Sequence, residues 1–166
     1  MYERTMRLCG LFLALLISSQ SGVTRASGEN AFLDRFAGAF DGDGYYLTFP
    51  ITDSFEARWV LGGNYLTMIT KATDGNDFES DAFVRFNAQS QRFEYYELNT
   101  DQVPEPRFFM TGKLVGNTLV LEEPPANIRH RFTFESIDED TFVMTKDQVH
   151  GQKVTRTVTL TFHRRP

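Results

Sequence analysis

The sequence predicts an all-β protein, a closed up-and-down barrel of about ten antiparallel strands with a short helix before it. The 166 residues include 16 Phe and 6 Tyr, and aromatic side chains favour half-buried β-sheet surfaces. From residue 40 onward, apolar and polar residues alternate with the period of a strand. The alternating segments are short, evenly spaced and joined by turn residues, which is typical of a sandwich or a barrel. We favour the barrel because sequential hairpins form a meander, and closing a meander removes its exposed edges.

Residues 1–26 are predicted to be a cleaved secretory signal peptide. Arg4 and Arg7 precede an apolar run over residues 8–17, and small residues lie before a cleavage point after Ala26. This order of basic, apolar and small residues is the pattern of a signal peptide. The apolar run is too short for a permanent membrane-spanning helix. We therefore expect an exported protein, periplasmic or secreted, with no integral membrane span after cleavage.

The predicted mature protein is a single domain over residues 27–166. The only cysteine of the whole chain, Cys9, lies in the predicted signal peptide. The mature fold is therefore expected to depend on its core and not on disulfides. The whole chain has a formal net charge of -5, and cleavage removes three arginines and one glutamate. An acidic chain without a block of Lys and Arg is poorly suited to nucleic acid.

The helix is predicted at residues 30–37. Phe32, Leu33 and Phe36 share one face, and Gly38 follows as a stop signal. A helix of this length is not stable alone in water, so it must pack against the barrel.

The strands follow in order. The first is predicted at residues 45–49, ended by Pro50, and the second alternates clearly over 55–61. A glycine turn at 62–64 forms a hairpin with the next strand. An outer-membrane barrel would need strands of about 9–11 residues, and most of these segments are shorter. The remaining strands are predicted at 65–71, 82–87, 92–98, 108–113, 118–122, 128–135, 141–146 and 154–163.

Two motifs carry a family resemblance. Residues 38–44 read Gly-Ala-Phe-Asp-Gly-Asp-Gly after the helix, and residues 59–66 read Trp-Val-Leu-Gly-Gly-Asn-Tyr-Leu. The chain thereby resembles calycin barrels, in particular the nitrobindins and a related uncharacterised bacterial lipocalin-like family, with matching strand order over most of residues 30–163. The resemblance implies a lipocalin-like barrel that the helix plugs at one end. Phe40 stands where the family usually has Trp.

His130 is the only polar residue that the alternation clearly places inside. It shares the parity of Phe132 and Phe134, and an inward imidazole could ligate haem, orient a ligand, or simply be a hydrogen-bonded core residue. Nitrobindin-like proteins take their haem-ligating histidine from the C-terminal part of the barrel, so the resemblance also draws attention to His163. Its parity is opposite to that of the apolar Phe162, which predicts an outward side chain. We expect no required cofactor, with haem as the alternative.

The predicted ligand-binding residues are aromatic apart from His130. One ring of the Tyr95-Tyr96 pair must face the interior, and alternation alone leaves the choice open. Arg85, Glu94 and Tyr96 are the set an enzyme of this shape would use. The residues assigned to ligand binding are Trp59, Tyr65, Tyr96, His130 and Phe132.

The leading functional hypothesis is a carrier or sensor that binds a small apolar or amphipathic ligand. The alternatives are a ligand-free interaction module with a filled barrel, a haem protein, and a barrel enzyme. The sequence has no Gly-x-Ser-x-Gly or His-x-x-x-His motif and no full calcium-loop spacing, so we predict neither an enzyme nor a metal site. No partner protein is indicated.

Overall fold

The computed structural model describes residues 28–100 and 108–166, so the predicted signal peptide lies outside the described residues. One helix, α1 (Glu29–Asp34), precedes the sheet, and a 3₁₀ turn (Leu61–Gly63) joins two of its strands. The strands are β1 (Gly38–Tyr46), β2 (Phe49–Val60), β3 (Tyr65–Ala72), β4 (Glu79–Asn87), β5 (Arg92–Asn99), β6 (Phe108–Val115), β7 (Thr118–Glu122), β8 (Ile128–Ser136), β9 (Thr141–His150) and β10 (Lys153–Arg164).

These strands form one closed antiparallel barrel, which confirms the predicted fold class. Each strand pairs with its neighbours in sequence, and β1 also pairs with β10, where Phe40 lies opposite Arg164. Closure gives every strand of the sheet two partners, so alternate residues point into the barrel and out to its surface. Over the described residues, no helix has the length and apolar character needed to cross a membrane.

The first predicted strand, at residues 45–49, is wrong in its bounds. The chain turns at Leu47, which has a φ of 56°, and Pro50 lies near the start of β2 opposite Tyr45. β1 begins at Gly38 because the glycine-rich stretch is itself strand. A Cβ on Gly44 would lie 1.9 Å from the carbonyl oxygen of Thr159 in β10, so glycine is needed for the closing strands to meet.

Helix α1 closes one end of the barrel, which we call the floor. It is shorter than predicted, ending at Asp34, and Phe32, Leu33 and Phe36 are all buried. Arg164 at the end of β10 holds the segment after the helix: its guanidinium donates to the carbonyl oxygens of Ala37 at 2.9 Å and Arg35 at 3.0 Å.

Five phenylalanines fill the barrel immediately above the helix. The Phe142 ring lies 4.8–5.1 Å, centroid to centroid, from the rings of the other four members. Most of these pairs meet edge to face, an arrangement that adds to the stabilisation from burial alone. We call this cluster the aromatic floor; its members are Phe36, Phe40, Phe55, Phe142 and Phe162.

The close approach of β6 and β7 predicts a large difference between two glycine substitutions. A Cβ at Gly112 would lie 1.9 Å from the carbonyl oxygen of Val120, whereas nothing lies within 4 Å at Gly116. We expect Gly112→Ala to lower the free energy of unfolding by about 3 kcal/mol or more. Gly116→Ala, at a φ of +65°, should cost only about 1–2 kcal/mol of backbone strain. Urea unfolding measures both losses, and equal losses would contradict the assigned pairing.

Candidate ligand-binding site

A cavity of about 940 Å³ occupies the end of the barrel opposite α1. The inward positions of β3 and β4 carry small side chains there, namely Thr70, Ala72, Ser80 and Ala82. Barrel diameter grows with strand number, so ten strands enclose more space than the eight of a small barrel. The volume lies within the range of about 300–1,000 Å³ that is usual for small-molecule sites.

The lower part of the cavity is apolar. Its bottom is formed by the aromatic floor, through Phe55 and Phe162, and its sides by apolar residues of several strands. These surfaces accept a hydrocarbon or aromatic body and have no hydrogen-bonding groups to satisfy. The apolar side-wall residues are Met68, Phe132, Phe134, Met144, Val158 and Leu160.

Polar side chains lie above the apolar part, on the wall formed by β2 to β5. Glu97 is buried, and its two carboxyl oxygens accept hydrogen bonds from Tyr95 Oη at 2.5 Å and Asn99 Nδ2 at 2.8 Å. Because both neighbours donate, Glu97 acts as the acceptor of the group. We call this wall the polar band; it comprises Asp53, Thr70, Ser80, Tyr95 and Glu97, which line the cavity. Asn99 is buried next to Glu97 on the same face of β5 but does not line the cavity.

The phenol of Tyr95 stays protonated in this setting. Burial raises the pKa of Tyr95 well above its ordinary value, and the nearby Glu97 carboxyl raises it further. A phenol that keeps its proton remains a donor to Glu97. The pair therefore fixes the orientation of the Glu97 carboxyl group in the cavity wall.

Asp53 is the second buried carboxyl group of the polar band. Burial, followed by the negative charge of Asp74 in the β3–β4 turn, raises the pKa of Asp53 from 3.8 to about 6. Asp53 is therefore mainly ionised at neutral pH, at an energetic cost to the fold. A buried cavity carboxylate with a pKa shifted in this way is typical of functional sites.

The charge of the cavity is predominantly negative. Its described lining includes the carboxyl groups of Asp53, Asp74, Asp77 and Glu97, and one ammonium group, that of Lys146 on β9. The Lys146 Nζ atom lies 5.4 Å from the centroid of the Phe132 ring, within the range of a cation–π contact.

Among the residues assigned to ligand binding from sequence, Phe132 lines this cavity. His130 lies next to it along β8, towards the open end, where its Nδ1 is 3.0 Å from Glu123 Oε2. It has the expected inward parity but is not among the residues that line the cavity.

The other three assigned residues lie away from the cavity. Trp59 has inward parity but lies at the floor, where its Nε1 donates to Asp34 Oδ1 of α1 at 2.6 Å. Tyr65 faces outward beneath the guanidinium of Arg85. Tyr96 is 43% exposed on the outer surface, since the strand register turns Tyr95 inward.

The residues of the enzyme and haem hypotheses do not line the cavity either. Arg85 and Glu94 form an ion pair with a 2.6 Å separation on the outer face, beside Tyr96, so they do not converge on a substrate cavity. None of the chain's three histidines lines the cavity, and His150 and His163 are exposed. The cavity therefore offers no histidine as an axial ligand for haem. Within residues 28–100 and 108–166, no group of three or more His, Cys, Asp or Glu is arranged to hold a metal ion.

Sequence analysis missed most polar side chains of the cavity, although the alternation of residues along the strands indicated two of them. Asp53 has the parity of Phe55 in β2, and Lys146 has the parity of Phe142 in β9. Extending each alternation by one step beyond the apolar residues would have placed both side chains inside. To place Glu97 inside, one must know whether Tyr95 or Tyr96 faces the interior. Only the pairing register of the strands decides this.

Comparison of the chain with protein-family models and with curated proteins gives no match.

The raised pKa of Asp53 predicts a pH-dependent gain in stability for Asp53→Asn. In the unfolded chain Asp53 ionises near 3.8 and in the folded protein near 6, so the wild-type free energy of unfolding falls as the pH rises through this window and stays lowered above it. Since one pKa unit corresponds to about 1.4 kcal/mol, and solvent reaching the cavity weakens the effect, D53N should be more stable by about 1–2 kcal/mol at pH 7.5. The difference should nearly vanish at pH 4.

Chemical denaturation at both pH values measures this difference. Asp81→Asn, which removes one carboxyl group from the exposed face of β4, is the matched control for loss of a single negative charge. A wild-type protein at least as stable as D53N at pH 7.5 would contradict the assigned burial of Asp53.

Proposed function

We propose that this protein is an exported, lipocalin-like binding protein, a carrier or sensor, that holds one small amphipathic molecule inside its barrel. The single observation that carries the proposal is the cavity of about 940 Å³, apolar below and polar above. A molecule with an apolar body and a polar head matches this division. The resemblance of residues 38–44 and 59–66 to calycin barrels supports the same proposal, as does the signal-like sequence of residues 1–26.

The pattern of side-chain sizes supports binding over a filled barrel. The aromatic floor shows that this chain fills space with phenylalanine where it needs a solid core. The cavity wall instead has Ala72, Ser80 and Ala82 at inward positions, where larger apolar residues would bury more surface and add stability. An interaction module that needed no ligand would gain from filling this space.

The proposal includes a route of entry for the ligand. Tyr46, Phe49 and Pro50 of the β1–β2 hairpin and Phe78 before β4 form part of the cavity lining at the open end. Tyr46 and Phe49 are at least half exposed, so the rim presents aromatic surface to solvent. An apolar ligand that reaches this rim can enter the barrel without leaving apolar contacts.

Native mass spectrometry tests whether a ligand is retained. The protein purified from the extracytoplasmic fraction of its source should have a native mass that exceeds its denatured mass by one small molecule, and its denatured mass should correspond to a chain beginning at Ser27. Equal native and denatured masses would count against a retained ligand. A denatured mass of the full chain would contradict cleavage after Ala26.

Filling the cavity should abolish binding without unfolding the protein. Ala72→Phe places a ring in the upper part of the cavity, and we expect it to weaken binding of the uncharged fluorescent probe N-phenyl-1-naphthylamine at least tenfold. The matched control is Ala88→Phe in the exposed β4–β5 turn, which should leave probe affinity unchanged. Fluorescence titration measures the affinities and thermal denaturation verifies folding. Equal affinity in wild type and A72F would place the probe outside the cavity.

A further inference from the structure

We infer that the head group of the ligand is a protonated amine, bound through its N–H groups by Glu97 and attracted by the Asp53 carboxylate. This inference rests on the proposed function and specifies the chemical class of ligand that the cavity takes. It follows from two observations: the acceptor capacity of the buried Glu97 carboxyl group in the cavity wall, and the sign of the charge around the cavity.

The two buried carboxyl groups of the polar band, those of Asp53 and Glu97, present acceptors to the cavity. Tyr95 and Asn99 direct their donor groups at the Glu97 oxygens, at 2.5 Å and 2.8 Å, so these donors are already used within the wall. Each carboxylate oxygen can accept two hydrogen bonds, so Glu97 retains capacity for a donor from the ligand.

Asn99 supports the acceptor role of Glu97. It is 7% exposed at an inward position of β5, and its amide nitrogen donates to Glu97 at 2.8 Å. Asn99 itself is not among the residues that line the cavity, so it acts on the ligand through the orientation of the Glu97 carboxyl group.

The charge around the cavity favours a cation. Asp53 and Glu97 are buried in the wall, and Asp74 and Asp77 lie at its open end. Lys146 is the sole cationic side chain of the described lining, and it lies on β9, away from the β2–β5 wall that forms the polar band. A positive head group therefore gains electrostatic attraction from the polar band, whereas a carboxylate head would face several negative groups at short range.

A primary ammonium satisfies these groups better than other cations. It has three N–H donors, while a quaternary ammonium has the charge but no donor for Glu97. A metal ion would need converging ligands, and the described residues do not form such a group. The apolar body of the ligand then extends towards Phe55 and Phe162 at the bottom of the cavity.

Four ligands with the same ten-carbon chain test the inference on the wild-type protein. Decylamine, decyltrimethylammonium, decan-1-ol and decanoate compete with N-phenyl-1-naphthylamine at pH 7.5, and fluorescence measures the displacement. We expect decylamine to bind at least tenfold more tightly than decanol and decanoate, with decyltrimethylammonium in between.

A matched pair of variants tests the residue assignment. Glu97→Gln should bring decylamine to within about threefold of decanol, with both affinities measured on the variant, since the variant loses a charge–charge attraction worth roughly tenfold in affinity. Glu135→Gln, on the exposed face of β8, should preserve the preference for the amine. The four-ligand comparison needs no variant, so the inference is tested even if E97Q does not fold.

The outcomes separate the inference from the proposed function. Tighter binding of decanoate or decanol than of decylamine would contradict the inference of an amine head group. It would still support the proposal of a binding cavity. Equal binding of decyltrimethylammonium and decylamine would overturn the N–H contacts to Glu97. Failure of the uncharged probe and all four ligands to bind would overturn the proposed function itself.

Discussion

The pairing of β1 with β10 is the constraint on which the rest of the structure depends. It converts a meander into a barrel, and only a closed barrel has an inside in which floor and cavity are distinct. Two glycines make this pairing sterically feasible. Gly44 lets the backbones of the two strands approach. Gly42 leaves room for the ring of Phe162, which a Cβ would approach to 2.5 Å. The glycine-rich stretch at residues 38–44 has a composition typical of a loop. It nevertheless determines both the closure of the barrel and the packing of the floor.

The proposed function divides stability and binding between the two ends of the barrel. At the floor, α1, five phenylalanine rings and Arg164 bury apolar surface and satisfy their polar groups with few exceptions. At the open end, the barrel holds buried carboxyl groups and an unsatisfied amide oxygen, features that lower stability. A protein tolerates such groups where they serve a ligand and where packing elsewhere offsets their cost. The position of the destabilising residues is therefore better evidence for the site than the position of the aromatic ones.

Alternation along the sequence predicted the number of strands and most of their positions, because closure leaves each strand with one inward face. It predicted less of the site, because parity gives the side of the sheet and not the height in the barrel. Trp59 and His130 both have inward parity, yet Trp59 lies at the floor and neither side chain lines the cavity. The Tyr95-Tyr96 pair shows a second limit. Both faces of β5 carry an aromatic residue, so the hydrophobic pattern contains no preference until the neighbouring strands are paired.

The abundance of aromatic residues, the first sequence signal of the fold, is a poor guide to function for the same reason. Phenylalanine and tyrosine occur in three settings: packed in the floor, lining the cavity, and in an outer row where Phe83, Tyr96 and Phe109 lie directly opposite one another across three strands. The outer row is as aromatic as the cavity but is convex, and its polar neighbours Arg85 and Glu94 satisfy each other. The cavity differs because it is concave and its polar groups are left with capacity for a further partner. In the proposed function, recognition therefore depends on the few acceptors that interrupt the apolar wall, with Glu97 at their centre.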